Sequence, residues 1–126
     1  SNYKTQTSAG AAPTNAEFTS NILDIGTASG LFNTLTWKGA QPAGTSVKFQ
    51  IATATSTAPL TGDMATVFVE SSCFDVPPAP ASPIKLTPAI TGVAVAGRQY
   101  IRYRAALATP DVVGLQIDDI IINWSP

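Results

Sequence analysis

No run of this chain carries apolar residues at i, i+3, i+4 and i+7 over the length of a helix. Gly or Pro instead interrupts the pattern about every ten residues, the spacing of short strands joined by turns. Two segments alternate clearly. In SVKFQIATA, Val47, Phe49 and Ile51 share one face, and Lys48, Gln50 and Ala52 share the other. In GRQYIRYRAAL, Ile101, Tyr103, Ala105 and Leu107 point inward, and Tyr100, Arg102 and Arg104 point outward. Each segment thus has a core face and a face that is wet or meets a partner. The expected fold is all-β: a single antiparallel sandwich over residues 17–126.

Residues 1–16, SNYKTQTSAGAAPTNA, have no apolar periodicity and read as a flexible leader or tether. In EFTSNILDIG the alternation is imperfect, with Leu23 and Ile25 on one face and Phe18 and Ile22 on the other. LFNTLTWKG places Leu31, Leu35 and Trp37 at even spacing, a strand pattern. MATVFVE has the β-branched and aromatic content of another strand. Residues 71–83 hold four prolines and read as a long surface loop, with a short strand at Ile84-Lys85-Leu86. The last segment, LQIDDIIINW, puts Ile120, Ile122 and Trp124 on one face and Ile117, Asp119 and Ile121 on the other. A strand apolar on both faces is expected to be central.

Composition narrows the chemistry. The chain has 126 residues, 12% of them charged, about half the usual ~25%. Its net charge of −1 supplies no field for nucleic acid or an anionic membrane. No stretch approaches the ~20 apolar residues of a membrane span, and no charged-then-apolar leader opens the sequence, so a signal peptide is expected to be absent or removed. With no histidine, Ser-His-Asp and Cys-His catalysis and Cys/His zinc sites are excluded. Cys73, the one cysteine, has no intrachain partner. Its neighbours suggest a small apolar filler, and an intermolecular disulfide is the sharper alternative.

The carboxylates Asp24, Asp63, Glu70, Asp75, Asp111, Asp118 and Asp119 show no spacing that builds a glycosidase pair. Asp118 and Asp119, adjacent on a strand, point to opposite faces. Asp63, Asp75 and Asp111 could hold a structural calcium, although no D-x-D-x-D-G loop is present. No other cofactor is implied. Tyr100, Arg102 and Arg104 form an outward stripe suited to sugar or protein contacts, or a solvated face paired with neighbouring acids. Trp37 and Trp124 read as core from their in-phase aliphatic neighbours, with a sugar platform as the alternative.

FTSNILDIG, FNTLTWKGAQPAGTSVKFQIATA, GRQYIRYRAAL and IDDIIINWSP follow one another in this order. Together they resemble the C-terminal jelly-roll-like head of bacterial surface proteins that begin with a type IV prepilin signal and helix. The resemblance covers residues 17–55 and 97–126. It implies a non-catalytic, extracellular structural subunit or head domain of a pilus-like filament at the cell surface, self-assembling and adhesive. Unlike those relatives, this sequence opens without a hydrophobic helix. The expectation is therefore a processed head, or assembly by donation of a strand to a neighbour's sheet.

The implied partners are further copies of the chain and, as an alternative function, a glycan or host-surface ligand bound by a carbohydrate-binding sandwich module. The residues expected to make partner contacts are Tyr3 in the leader, the stripe Tyr100, Arg102 and Arg104, and Ile117, Ile121 and Trp124 of the last strand.

Overall fold

The computed structural model describes residues 2–6, 16–108 and 114–126, with backbone alone considered at 2–6 and 16. Two antiparallel sheets pack face to face. The first contains β1 (Asn2–Gln6), β9 (Gln116–Ser125), β4 (Leu31–Ala40) and β7 (Ile84–Lys85), in that spatial order. The second runs β2 (Ala16–Thr19), β8 (Tyr100–Ala108), β5 (Ser46–Ala54) and β6 (Phe74–Asp75). The short β3 (Leu23–Asp24) continues the β2 edge of β8. This is the all-β sandwich that the alternation predicts.

Phe32, Leu35, Trp37, Ile117, Ile120 and Ile122 pack with Val47, Phe49, Ile51, Ile101, Tyr103 and Leu107 in one buried core between the sheets. The rings of Phe49 and Tyr103 sit 6.3 Å apart at 57°, a favourable tilted pairing. Truncating any of the large aromatics here to Ala would cost about 3–5 kcal/mol.

The strands change phase at three polar residues, and there the simple alternation fails. On β4, Phe32 pairs with Trp124 and Thr34 with Asn123, leaving Asn33 as the extra residue of a bulge. The bulge turns Phe32 into the core and leaves Leu31 41% exposed, correcting the expectation that Leu31 shares a face with Leu35 and Trp37. The Asn33 amide donates to Asn123 Oδ1 and to Ser125 Oγ, which anchors the bulge.

On β9, Asp119 pairs with Lys38 but Ile117 pairs with Gly39, so Asp118 is extra. Ile117 and Ile120 therefore both point into the core, which explains why this segment looks apolar on two faces. β9 is central, as expected, flanked by β1 and β4.

Between β2 and β3, Ser20 replaces a ladder step. Its N–H donates to the Tyr103 carbonyl at 2.9 Å, and its hydroxyl accepts from Tyr103 N–H at 3.0 Å. The break places Phe18 with Leu23 and Ile25 against the main core and turns Ile22 to the outer side.

Three further expectations need correction. The leader reading does not hold for Asn2–Gln6, which form β1 on β9; residues 7–15 lie outside the described residues. These five residues have no alternation of their own, and β9 supplies the backbone groups that order them.

MATVFVE is not a strand: Met64–Val67 form the helical turn α1. The Asp63 carboxylate caps it by accepting from Ala65 N–H. The turn buries Val67 and Phe68 and leaves Val69 68% exposed, a distribution that strand geometry would not give.

The Pro-rich segment is not wholly irregular, because Phe74–Asp75 pair with Lys48–Phe49 of β5. The expected short strand at Ile84 is present as β7, and it leads into a turn of helix, α2 (Pro88–Thr91), not foreseen from sequence. Thr87 caps α2, Pro88 opens it and Gly92 closes it at φ +76°. A side chain at Gly92 would come within 2.6 Å of the Glu70 carbonyl.

Candidate interaction surfaces

The stripe Tyr100, Arg102 and Arg104 lies on β8, on the outer side of the second sheet, as the alternation predicts. It does not form an open surface. The excursion between β5 and β6 folds back over it, carrying a 3-10 turn at Ala58–Leu60 and α1. Leu60, Val67 and Phe68 pack there on Ala52 and Ala54, forming a second core with Ile22, Met64 and Tyr100 at its margin. The small side chains of Ala52 and Ala54 leave room for this cover.

The two arginines hold the cover in place. Arg102 donates from Nε to the Ser20 carbonyl at 2.8 Å and from Nη1 to the Leu60 carbonyl at 2.6 Å. Arg104 donates from Nε and Nη2 to Gln50 Oε1 at 2.9 and 2.6 Å. Its guanidinium also lies 4.9 Å from the centroid of Phe68 and 3.7 Å from Glu17. The forked planar geometry of Arg suits several fixed oxygens plus a ring face better than Lys would. Ser71 Oγ donates to the Ile51 carbonyl and closes the far end of the excursion. Tyr100, Arg102 and Arg104 are each left only partly accessible by this cover.

The other expected contact residues converge on the first sheet. Tyr3 is the register partner of Ile122, and Lys4 that of Ile121. The leader and the last strand, both marked for contact, thus meet within one sheet. Ile117 is fully buried in the main core and has no surface to offer, because the Asp118 bulge turns it inward. Trp124 is half-buried against the main core and pairs with Phe32.

Ile121 is half-buried on the outer face, in register with Thr36. Thr34 and Asn123 share that face and are also partly accessible. The contrast with the second sheet is plain: Ala52 and Ala54 on its outer side are only 3% and 4% exposed.

Trp37 is core, as expected. It is wholly buried, and its indole N–H donates to the Val76 carbonyl. It cannot serve as a sugar platform. Cys73 is exposed, correcting its reading as an apolar filler.

The carboxylates remain apart. Asp63 caps α1, Asp75 lies 3.4 Å from Lys48, and Asp118 accepts from Gln116 at 2.7 Å. Asp24 accepts from the Gln99 side-chain amide and from Gly26 N–H, and these bonds hold its pKa below the ordinary carboxylate value. Among the described residues, no three His, Cys, Asp or Glu side chains cluster in a way that could hold a metal ion; Asp111 lies outside them. No helix among them is long and apolar enough to cross a membrane.

Comparison with protein-family models, curated proteins and solved structures gave no match.

Proposed function

We propose that this chain is a non-catalytic extracellular structural subunit or head domain of a pilus-like or filament-like surface assembly, packing against further copies of itself. The observation that carries this reading is the join between the N-terminal segment and the last strand. β1 covers the edge of β9, next to an outer face where Thr34, Thr36, Ile121 and Asn123 stay accessible. Low charge and near-zero net charge favour close packing of such faces over mutual repulsion. The resemblance of the strand blocks to prepilin heads supports the same role and an adhesive position at the cell surface.

The carbohydrate-binding alternative has less behind it. Arg102 and Arg104 are engaged within the chain, and Trp37 is sealed in the core.

Light scattering and negative-stain electron microscopy of the whole chain, over rising concentration, test the proposal. Filaments or a growing series of oligomers are expected. A single monomeric species at every concentration, the mM range included, overturns it.

A further inference from the structure

β9 is the strand most in need of a neighbour. It carries Ile120-Ile121-Ile122, a β-branched run that is an aggregation hazard if its edge is bare. The edges of the other long strands are closed by segments with further ties to the fold; β8 is covered by β2 and β3, whose Phe18 and Leu23 pack into the main core. β4 is covered by β7 and by N–H donation from Ala79 to the Trp37 carbonyl and from Leu86 to the Asn33 carbonyl. β5 is covered by β6 and by Ser71. β9 is covered by β1, a five-residue strand whose only described strand partner is β9.

The sequence of β1, NYKTQ, has no apolar alternation that would tie it to one particular sheet by its own burial pattern. Nine residues, TSAGAAPTN, separate it from β2, which belongs to the opposite sheet. Fully extended, that connection reaches about 30 Å.

We infer that β1 is an exchangeable strand, and that in the assembled state it pairs with β9 of a second copy of this chain. The inference rests on the assembly reading above and supplies its mechanism. The register Asn2 to Asn123 through Gln6 to Asp119 is the same whether β1 comes from its own chain or from a neighbour. Exchanging identical elements leaves the contacts unchanged, so concentration decides between the closed and exchanged forms. A strand joined to its own chain through a connection of this length meets its site at an effective concentration in the mM range. Isolated chains below that concentration close on themselves. Subunits packed in an array meet or exceed it, and β1 then crosses between them.

Cross-linking tests the exchange. Lys4 and Ile121 are direct register partners, and opposed strand residues lie within disulfide reach. In a Cys73→Ser background, chains carrying only Lys4→Cys are mixed with chains carrying only Ile121→Cys. The mixture is unfolded and refolded together, concentrated and oxidised. Exchange predicts a shift from the 13.0 kDa band to twice that mass, with mass spectrometry identifying one chain of each kind. Dilute samples should stay at 13.0 kDa. Oligomers that form without the mixed cross-link, while the double variant Lys4→Cys/Ile121→Cys cross-links only within chains, overturn exchange and leave the assembly reading intact. Failure of the parent chain to associate at any concentration overturns both.

Discussion

The indole N–H of Trp37 donates to the carbonyl of Val76 across 2.6 Å, and the Trp37 carbonyl accepts from Ala79 N–H at 2.8 Å. One residue of β4 therefore holds both ends of a short stretch of the Pro-rich connection. Both polar groups of the contact with Val76 are buried. Trp37→Phe should keep much of the ring burial but leave the Val76 carbonyl without its donor. An unsatisfied buried acceptor costs about 1–3 kcal/mol, and the smaller ring adds a cavity term. Urea unfolding should show a lower midpoint with an unchanged m-value. Protease cleavage within 76–83 should rise.

Arg102 joins three parts of the chain: β8, the Ser20 break and the 3-10 turn at Leu60. Arg102→Ala should remove both charge-assisted bonds, at about 1.5–3 kcal/mol each before any rearrangement. Arg102→Lys should recover little, because a single ammonium cannot reproduce the fork. Amide hydrogen exchange in residues 55–72 is the informative measurement. Protection should fall there first in both variants, while β4 and β9 keep theirs.

The face assignments of β5 and β8 were legible in the sequence because neither strand contains a bulge: Val47, Phe49 and Ile51, and Ile101, Tyr103 and Leu107, all enter the core as read. Legibility stops where the period changes. Ser20, Asn33 and Asp118 each shift the phase, and a period-2 reading has no term for that. Simple alternation therefore puts Leu31 and Ile117 on the wrong side. The outward stripe was correctly placed, but its covering was not visible, since Leu60, Val67 and Phe68 reach it through a fold-back rather than along a strand. The signals for α1 and α2 were present as Asp63 after Gly62 and as Thr87-Pro88 ahead of Gly92. β-propensity in MATVFVE obscured the first. β1 left no sequence signal because its order comes from the strand beside it.

Gly39, exposed near the end of β4, is the register partner of Ile117, opposite the Asp118 bulge. A Cβ built there would overlap the Gln116 carbonyl and lie 3.0 Å from the Trp37 ring. The obstacle is backbone, which cannot swing aside as a side chain would. Gly39→Ala should therefore force β9 away from β4 and cost more than the ~1–3 kcal/mol of ordinary overpacking. The thermal midpoint reports this directly. By contrast, Gly62→Ala meets no atom within 4 Å; it should cost less, through its φ of +90° alone.

Asp24 links β3 to the start of β8. Its carboxylate accepts from the Gln99 side chain at 2.9 Å and from Gly26 N–H at 2.7 Å. Both bonds favour the charged form, so its folded pKa lies below the unfolded value. The sign follows: the unfolded chain binds this proton more readily, and Asp24 stabilises the fold above the unfolded carboxylate pKa. That contribution falls away as pH drops through the lower folded value. Asp24→Asn should thus be less stable than the parent at pH 7, and the gap should narrow as pH falls below the ordinary carboxylate range. Because the group is exposed, the difference should be small and is best read from paired denaturation curves at several pH values. A gap between parent and variant that stays constant from pH 7 to pH 2 would show that ionisation of Asp24 contributes nothing.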